Sequence, residues 1–182
     1  MAITASMVKE LRERTGLGMM DCKRALEETD GDLEKAIEEL RKKSSLKAAK
    51  KAGRTTADGL LGLKVAEDGS RAAIVEVNIE TDFAAKNEKF IAFVEKTVAE
   101  LFSSADGDIQ SVLAAGLDAE RETLVQEIGE NSSVRRGRVI TSACGGISSY
   151  LHGDHRKASL VALSGQNRAL GRDIAMHVTA IN

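Results

Sequence analysis

The sequence has no proline and no tryptophan, and only one tyrosine and four phenylalanines. Proline normally makes up about 5% of residues, so its absence from 182 residues is unusual. The chain also stops after Ala175-Met176-His177-Val178-Thr179-Ala180-Ile181-Asn182 with no closing cap, which points to a piece of a longer protein. Scarce aromatics leave the core to alanine, valine, isoleucine and leucine. The two cysteines, Cys22 and Cys144, are far apart and lack metal-ligand spacing. They read as two buried free thiols in a reduced, cytoplasmic protein. No apolar run approaches the roughly 20 residues that cross a bilayer, and the N-terminus lacks a signal-peptide pattern. A net charge of −2 sets up no global field toward nucleic acid or anionic lipid. There is no GK[ST] phosphate loop and no GxGxxG after a strand. Ser164-Gly165-Gln166-Asn167 is not a nucleophile elbow. These absences argue against an enzyme and against a bound cofactor.

What is present begins with three short helices up to about Lys43. Thr4 is placed to cap the first, Met7, Val8 and Leu11 form its apolar face, and Gly16 ends it. Leu17-Gly18-Met19-Met20 reads as a short loop, with Asp21 where a second helix begins. Three adjacent apolar side chains there cannot all point inward, so at least one methionine should be exposed, an adaptable contact residue. Cys22, Ala25 and Leu26 give the second stripe. Asp30-Gly31-Asp32 is a turn and cap, and Leu33, Ala36, Ile37 and Leu40 give the third stripe. Three helices of this size make a marginal core by themselves. The segment Arg41–Arg54 carries Lys42, Lys43, Lys47, Lys50, Lys51 and Arg54 and no acid. It reads as a solvated helical linker or as a phosphate-binding strip, without aromatic residues for stacking bases.

From Thr55 the pattern changes. Leu60–Val65 and Arg71–Ile79 flank Glu67-Asp68-Gly69-Ser70, a hairpin signal. A long helix follows, with Phe90, Phe93, Val94, Thr97, Val98 and Leu101 on one stripe. Shorter helices are expected over 109–115 and 119–128, strands over 138–142, 147–151 and 158–163, and a last helix over 168–179. The class is α+β with an antiparallel sheet. Division falls at residue 54: 1–54 for the helices and basic segment, 55–182 for the α+β domain. His152-Gly153-Asp154-His155 offers two imidazoles and a carboxylate, but zinc needs a further ligand, and a solvated turn is the plainer reading. His177 reads as packed in the last helix.

The strand exit Glu80-Thr81-Asp82-Phe83-Ala84-Ala85-Lys86-Asn87 leaves two readings open. If Asp82 is an N-cap, Phe83 joins Phe90, seven residues on, in one core stripe. If Asn87 is the cap, Phe83 lies outside the helix and projects.

Five segments, in order, resemble bacterial translation elongation factor Ts, the guanine-nucleotide exchange factor for elongation factor Tu. They are Val8–Lys23 with its Thr15-Gly16 and Met19-Met20-Asp21; Lys47–Ala52; Glu80–Asn87; Ile128-Gly129-Glu130-Asn131 followed by Arg135-Arg136; and Tyr150, His152, Ala158–Leu163 and Ile174–Val178. Ser132 departs from the apolar residue usual in the family, and Ala84 from a common valine. The resemblance implies a ubiquitin-associated-like three-helix N-terminal module and the first half of the family core, with the chain continuing past residue 182 in full members. It implies a protein of the translation machinery that binds elongation factor Tu, promotes GDP release, and contacts no nucleic acid or membrane directly, with a homodimer in the longer protein. Lys9, Arg12, Met19 and Met20 would dock on the partner's nucleotide domain. Thr81, Asp82, Phe83 and Ala84 would approach and displace its magnesium. Ile128, Gly129 and His152 would line the same face.

Overall fold

The Thr4 hydroxyl accepts from the Met7 amide and starts α1 (Ala5–Thr15), and Gly16 closes it in the left-handed region with φ of 71°. The computed structural model describes residues 3–181. Two compact units result. One comprises the residues up to Thr55 with Asp118–Asn131, the other Thr56–Leu117 with the residues from Ser132 onward.

In the first unit α2 spans Met19–Glu28 and α3 spans Leu33–Lys51, capped by Asp32, whose carboxylate accepts from the Lys35 amide at 3.1 Å. Val8, Leu11, Leu17, Cys22, Ala25, Leu26, Ala36 and Leu40 bury one core. Most of the basic segment is helical, as the linker reading has it, and continues α3 to Lys51, but its inner face is packed rather than solvated. That face is small: Leu40, Ser44 and Ala48 recur every four residues and are buried. The helix α7 (Asp118–Ile128) lies along α3 in this unit. The Ser45 hydroxyl donates to Glu122 at 3.0 Å, and Ser44 donates to the Leu40 carbonyl and to Gln126. The cut at residue 54 therefore leaves out a helix that packs with the N-terminal ones. Several lysines of the segment are paired: Lys42 with Glu38 at 2.9 Å, Lys43 with Glu28, and Lys47 with Asp21 at 3.8 Å.

In the second unit β1 (Asp58–Val65), β2 (Arg71–Ile79) and β3 (Ser132–Thr141) form an antiparallel sheet in that order, with a bulge at Glu76/Val77. Thr81 caps the single turn α4 (Asp82–Ala85), and α5 (Glu88–Ser103) then packs on the sheet. The buried residues of α5 are those of the expected stripe, Phe90, Phe93, Val94, Thr97, Val98 and Leu101. After α6 (Ile109–Val112) a wide turn over Leu113–Leu117 breaks at Gly116, where φ is 137°. β3 starts six residues earlier than the pattern suggests, because its first half is polar: Arg135 and Arg136 face solvent and pair with Glu76 on β2 at 2.9 and 2.7 Å. β4 (Ile147–Leu151) and β5 (Ala158–Ala162) make a second, two-stranded sheet covered by α8 (Arg168–Ile181). Ser159 donates to the Ala175 carbonyl at 2.7 Å, and Thr179 donates to Ser159 at 3.0 Å.

Two expectations fail on burial. Cys22 is buried but Cys144 is exposed, in the bend between β3 and β4, where the Ser142 hydroxyl holds its thiol below the ordinary value. His177 faces outward, since Ala175 and Thr179 take the inner side of α8. Among the described residues no helix is long and apolar enough to cross a membrane.

Candidate functional site

The sheet aims one turn of chain outward. Ile79, the end of β2, pairs with Asp58. Beyond it Thr81 stays extended, and its hydroxyl accepts from the Ala84 amide at 3.2 Å. The Asn87 side chain accepts from the Lys89 amide at 2.9 Å and starts α5 afresh. Thr81 and Asn87 thus cap separate helices: the reading with Asn87 as the cap of the long helix holds, and the one with Asp82 as N-cap does not. Asp82 lies inside α4 and Asn87 caps α5, so Phe83 stands outside the long helix. Ala84 and Ala85 turn inward and are buried, which leaves Phe83 82% exposed. The Ala84 methyl seats the turn and is not presented at the surface.

Lys86 completes the feature. Its ammonium lies 2.9 Å from the Asp82 carboxylate and 5.7 Å from the centre of the Phe83 ring. The hydrogen bond from Lys86 holds the Asp82 carboxyl below its ordinary value, and the charge of Arg156 adds to this. The protein therefore presents an ionised carboxylate and a bare phenyl ring side by side. Covering that ring would recover about 1.5–3 kcal/mol.

The β4–β5 turn carries His152. Its imidazole Nδ1 lies 2.9 Å from Asp154, whose carboxyl is held below its ordinary value first by the Arg156 amide and then by His152. The His152 amide donates to the Lys157 carbonyl, and the His155 amide donates to the His152 carbonyl. His152 itself is exposed. Among the described residues no group of three or more His, Cys, Asp or Glu is placed to hold a metal ion.

The first unit carries a separate patch. Lys9 and Arg12 are exposed three residues apart on α1, hence on one side of it. Met19 and Met20 open α2 rather than forming a loop, and they are 59% and 67% exposed while Leu17 fills the core. In the same unit Ile128 ends α7 half-buried. Gly129 follows with φ of 88°, its amide bonded to the Val125 carbonyl and its own carbonyl accepting from Lys51. Asn131 is buried and donates to the Ala52 and Arg54 carbonyls.

Sequence reasoning missed Lys86, Asp58 and Arg156 as partners of the site. Lys86 follows Asp82 by four residues, a helical ion-pair spacing that could have been read. The pairing of Arg156 with Asp58 is a long-range contact with no local signal.

Comparison with known proteins places this α+β chain among the translation elongation factors. The family model described as Elongation factor TS matches residues 80–182. The chain is 55% identical over 181 residues to Elongation factor Ts of Hahella chejuensis, an alignment covering 100% of this chain and 63% of that protein. Identity to Elongation factor Ts of Saccharophagus degradans is 53% over 182 residues, with 100% and 63% covered. For Elongation factor Ts of Arthrospira platensis the figures are 50% over 186 residues, with 99% and 74% covered. The chain belongs to the elongation factor Ts family, and it spans 63% of the length of the first two relatives.

Proposed function

We propose that this chain supplies the docking and exchange surfaces of a cytoplasmic guanine-nucleotide exchange factor that binds elongation factor Tu·GDP and promotes GDP release. The observation that carries this reading is the 82% exposure of Phe83 on a turn fixed by caps on both sides. A large ring left uncovered on a rigid support has its burial energy available for a partner. Thr81 shapes the turn, Ala84 anchors it, and Asp82 and Phe83 are the groups that approach the partner's magnesium site. Lys9, Arg12, Met19 and Met20 form a second contact, and Ile128, Gly129 and His152 add to the docking surface. The exposed methionines suit it, being adaptable in shape.

Binding energy is coupled to nucleotide release by differential contact. The ring inserts only where partner side chains have moved, so it favours the partner conformation that holds nucleotide poorly. Reversing a strongly nucleotide-bound population takes about 5.5 kcal/mol of differential affinity, and one ring contributes about 1.5–3 kcal/mol. At least two patches must therefore act together. By reciprocity, returning nucleotide loosens this protein by the same factor. No bond is made or broken by the chain, so it is not an enzyme. Direct binding to nucleic acid is not part of this reading, since a net charge of −2 sets up no field toward it.

Stopped-flow release of a fluorescent GDP from elongation factor Tu tests this. Phe83→Ala is expected to slow stimulated release about tenfold to a hundredfold, the kinetic equivalent of the ring's burial. An unchanged rate rejects the role given to the ring.

A further inference from the structure

We infer that Arg156 and Asp58 form a clasp that fixes the β4–β5 turn beside the Phe83 helix, so that both meet the GTPase partner as one rigid contact face. This rests on the docking reading of Phe83 proposed above. Asp58 opens β1 and pairs with Ile79, the last residue of β2 before the chain turns out to Asp82. The turn α4 also packs against β1. Whatever is tied to Asp58 is therefore tied to the base of the Phe83 turn.

The β4–β5 turn is tied there twice. The Leu61 amide, on the edge strand β1, donates to the His155 carbonyl at 2.7 Å, and the Arg156 guanidinium pairs with the Asp58 carboxylate. His155 holds φ at 56°, a region that non-glycine residues seldom use. Such a conformation persists only where its surroundings enforce it, and here the neighbouring bonds aim the carbonyl at the strand edge. The Asp58 side chain is only 22% exposed, so its pair with Arg156 is less screened by solvent than an open surface pair. Asp58, Arg156, Leu61, Glu76, Asn78 and Arg136 border one cavity of about 290 Å³ on that side of the sheet. Arg156 also adds its charge to the field at Asp82. In this role Arg156 and Asp58 are positioning residues: they set where His152 stands relative to Phe83 and need not touch the partner.

The test combines stimulated release of fluorescent GDP from elongation factor Tu with hydrogen exchange at the Leu61 amide, both on the full chain. Arg156→Ala should speed Leu61 exchange and lower the second-order release rate about twofold to fivefold, the range for an ion pair this exposed. Arg156→Lys should retain most of the rate. Asp58→Arg and Arg156→Asp should each be impaired alone, and their combination should recover most of the loss. Unchanged Leu61 exchange in Arg156→Ala, or a double variant no faster than either single one, overturns the clasp. Release lost in Phe83→Ala but unchanged in Arg156→Ala overturns the clasp alone. Release unchanged in both overturns the docking reading beneath it.

Discussion

Phe83 and Phe90 lie seven residues apart, a spacing that puts two side chains on one side of an unbroken helix. One is 82% exposed and the other fully buried. The difference comes from Lys86 and Asn87, where one helix ends and the next begins. A sharp contrast in stability follows. Phe90→Ala should cost about 3–5 kcal/mol, as for other core phenylalanines. Phe83→Ala should change stability by less than about 0.5 kcal/mol, as at a surface position. Urea denaturation of the two variants measures both. The sequence left Asp82 and Asn87 as rival caps because each is a good one. Thr81, three residues before Ala84, resolves the matter by capping the short turn itself. That at least one methionine points outward was legible from crowding at Leu17-Gly18-Met19-Met20; that both do, and that they open α2, was not, since Gly18 caps that helix without a side chain.

At the level of elements, amphipathic stripes were read where they were strong and missed where they were made of small or polar residues. The buried face of α5 matches its stripe residue for residue. The second half of α3 carries Ser44 and Ala48 inward beneath a dense run of lysines, so composition hid its packing. α7 was legible as a helix, but its neighbour α3 is far away in sequence, and no local pattern encodes such a contact. Asn87 should be the sensitive residue for α5. Asn87→Ala removes the bond to the Lys89 amide and should cost about 1 kcal/mol, seen as a lower urea midpoint. Phe83 lies before this cap, so stimulated GDP release should respond less to Asn87→Ala than to Phe83→Ala.

Among the described residues, the carboxylates with displaced titration all move downward: Asp32, Asp68, Glu76, Asp82, Asp106 and Asp154. Asp68, Asp106 and Asp154 are exposed and contribute little. Glu76 is the most sheltered. Burial pushes its carboxyl up, and the hydrogen bonds from Arg135 and Arg136 outweigh burial and hold it below the ordinary value. Folded protein therefore binds fewer protons in acid than unfolded chain does. The resulting stability is complete above the ordinary glutamate pKa, about 4.3, and disappears as pH falls through the lower folded value. Glu76→Gln should reduce stability at pH 7 and make its decline below about pH 4 shallower, measured by urea denaturation across pH. The α+β class and the order of most elements were readable from period and composition. The ion pairs that join β2 to β3 were not, because they depend on register and on the bulge at Glu76/Val77, and the one that joins the β4–β5 turn to β1 was not, because it links residues far apart in sequence.

The freedom of Phe83 from its own core has a practical side. The chain contains no tryptophan, so an indole substituted at position 83 would be the sole emitter of its kind in this molecule. Its fluorescence would report solvent or protein cover at that one point, and the caps at Thr81 and Asn87 would hold the reporter in place without help from the ring.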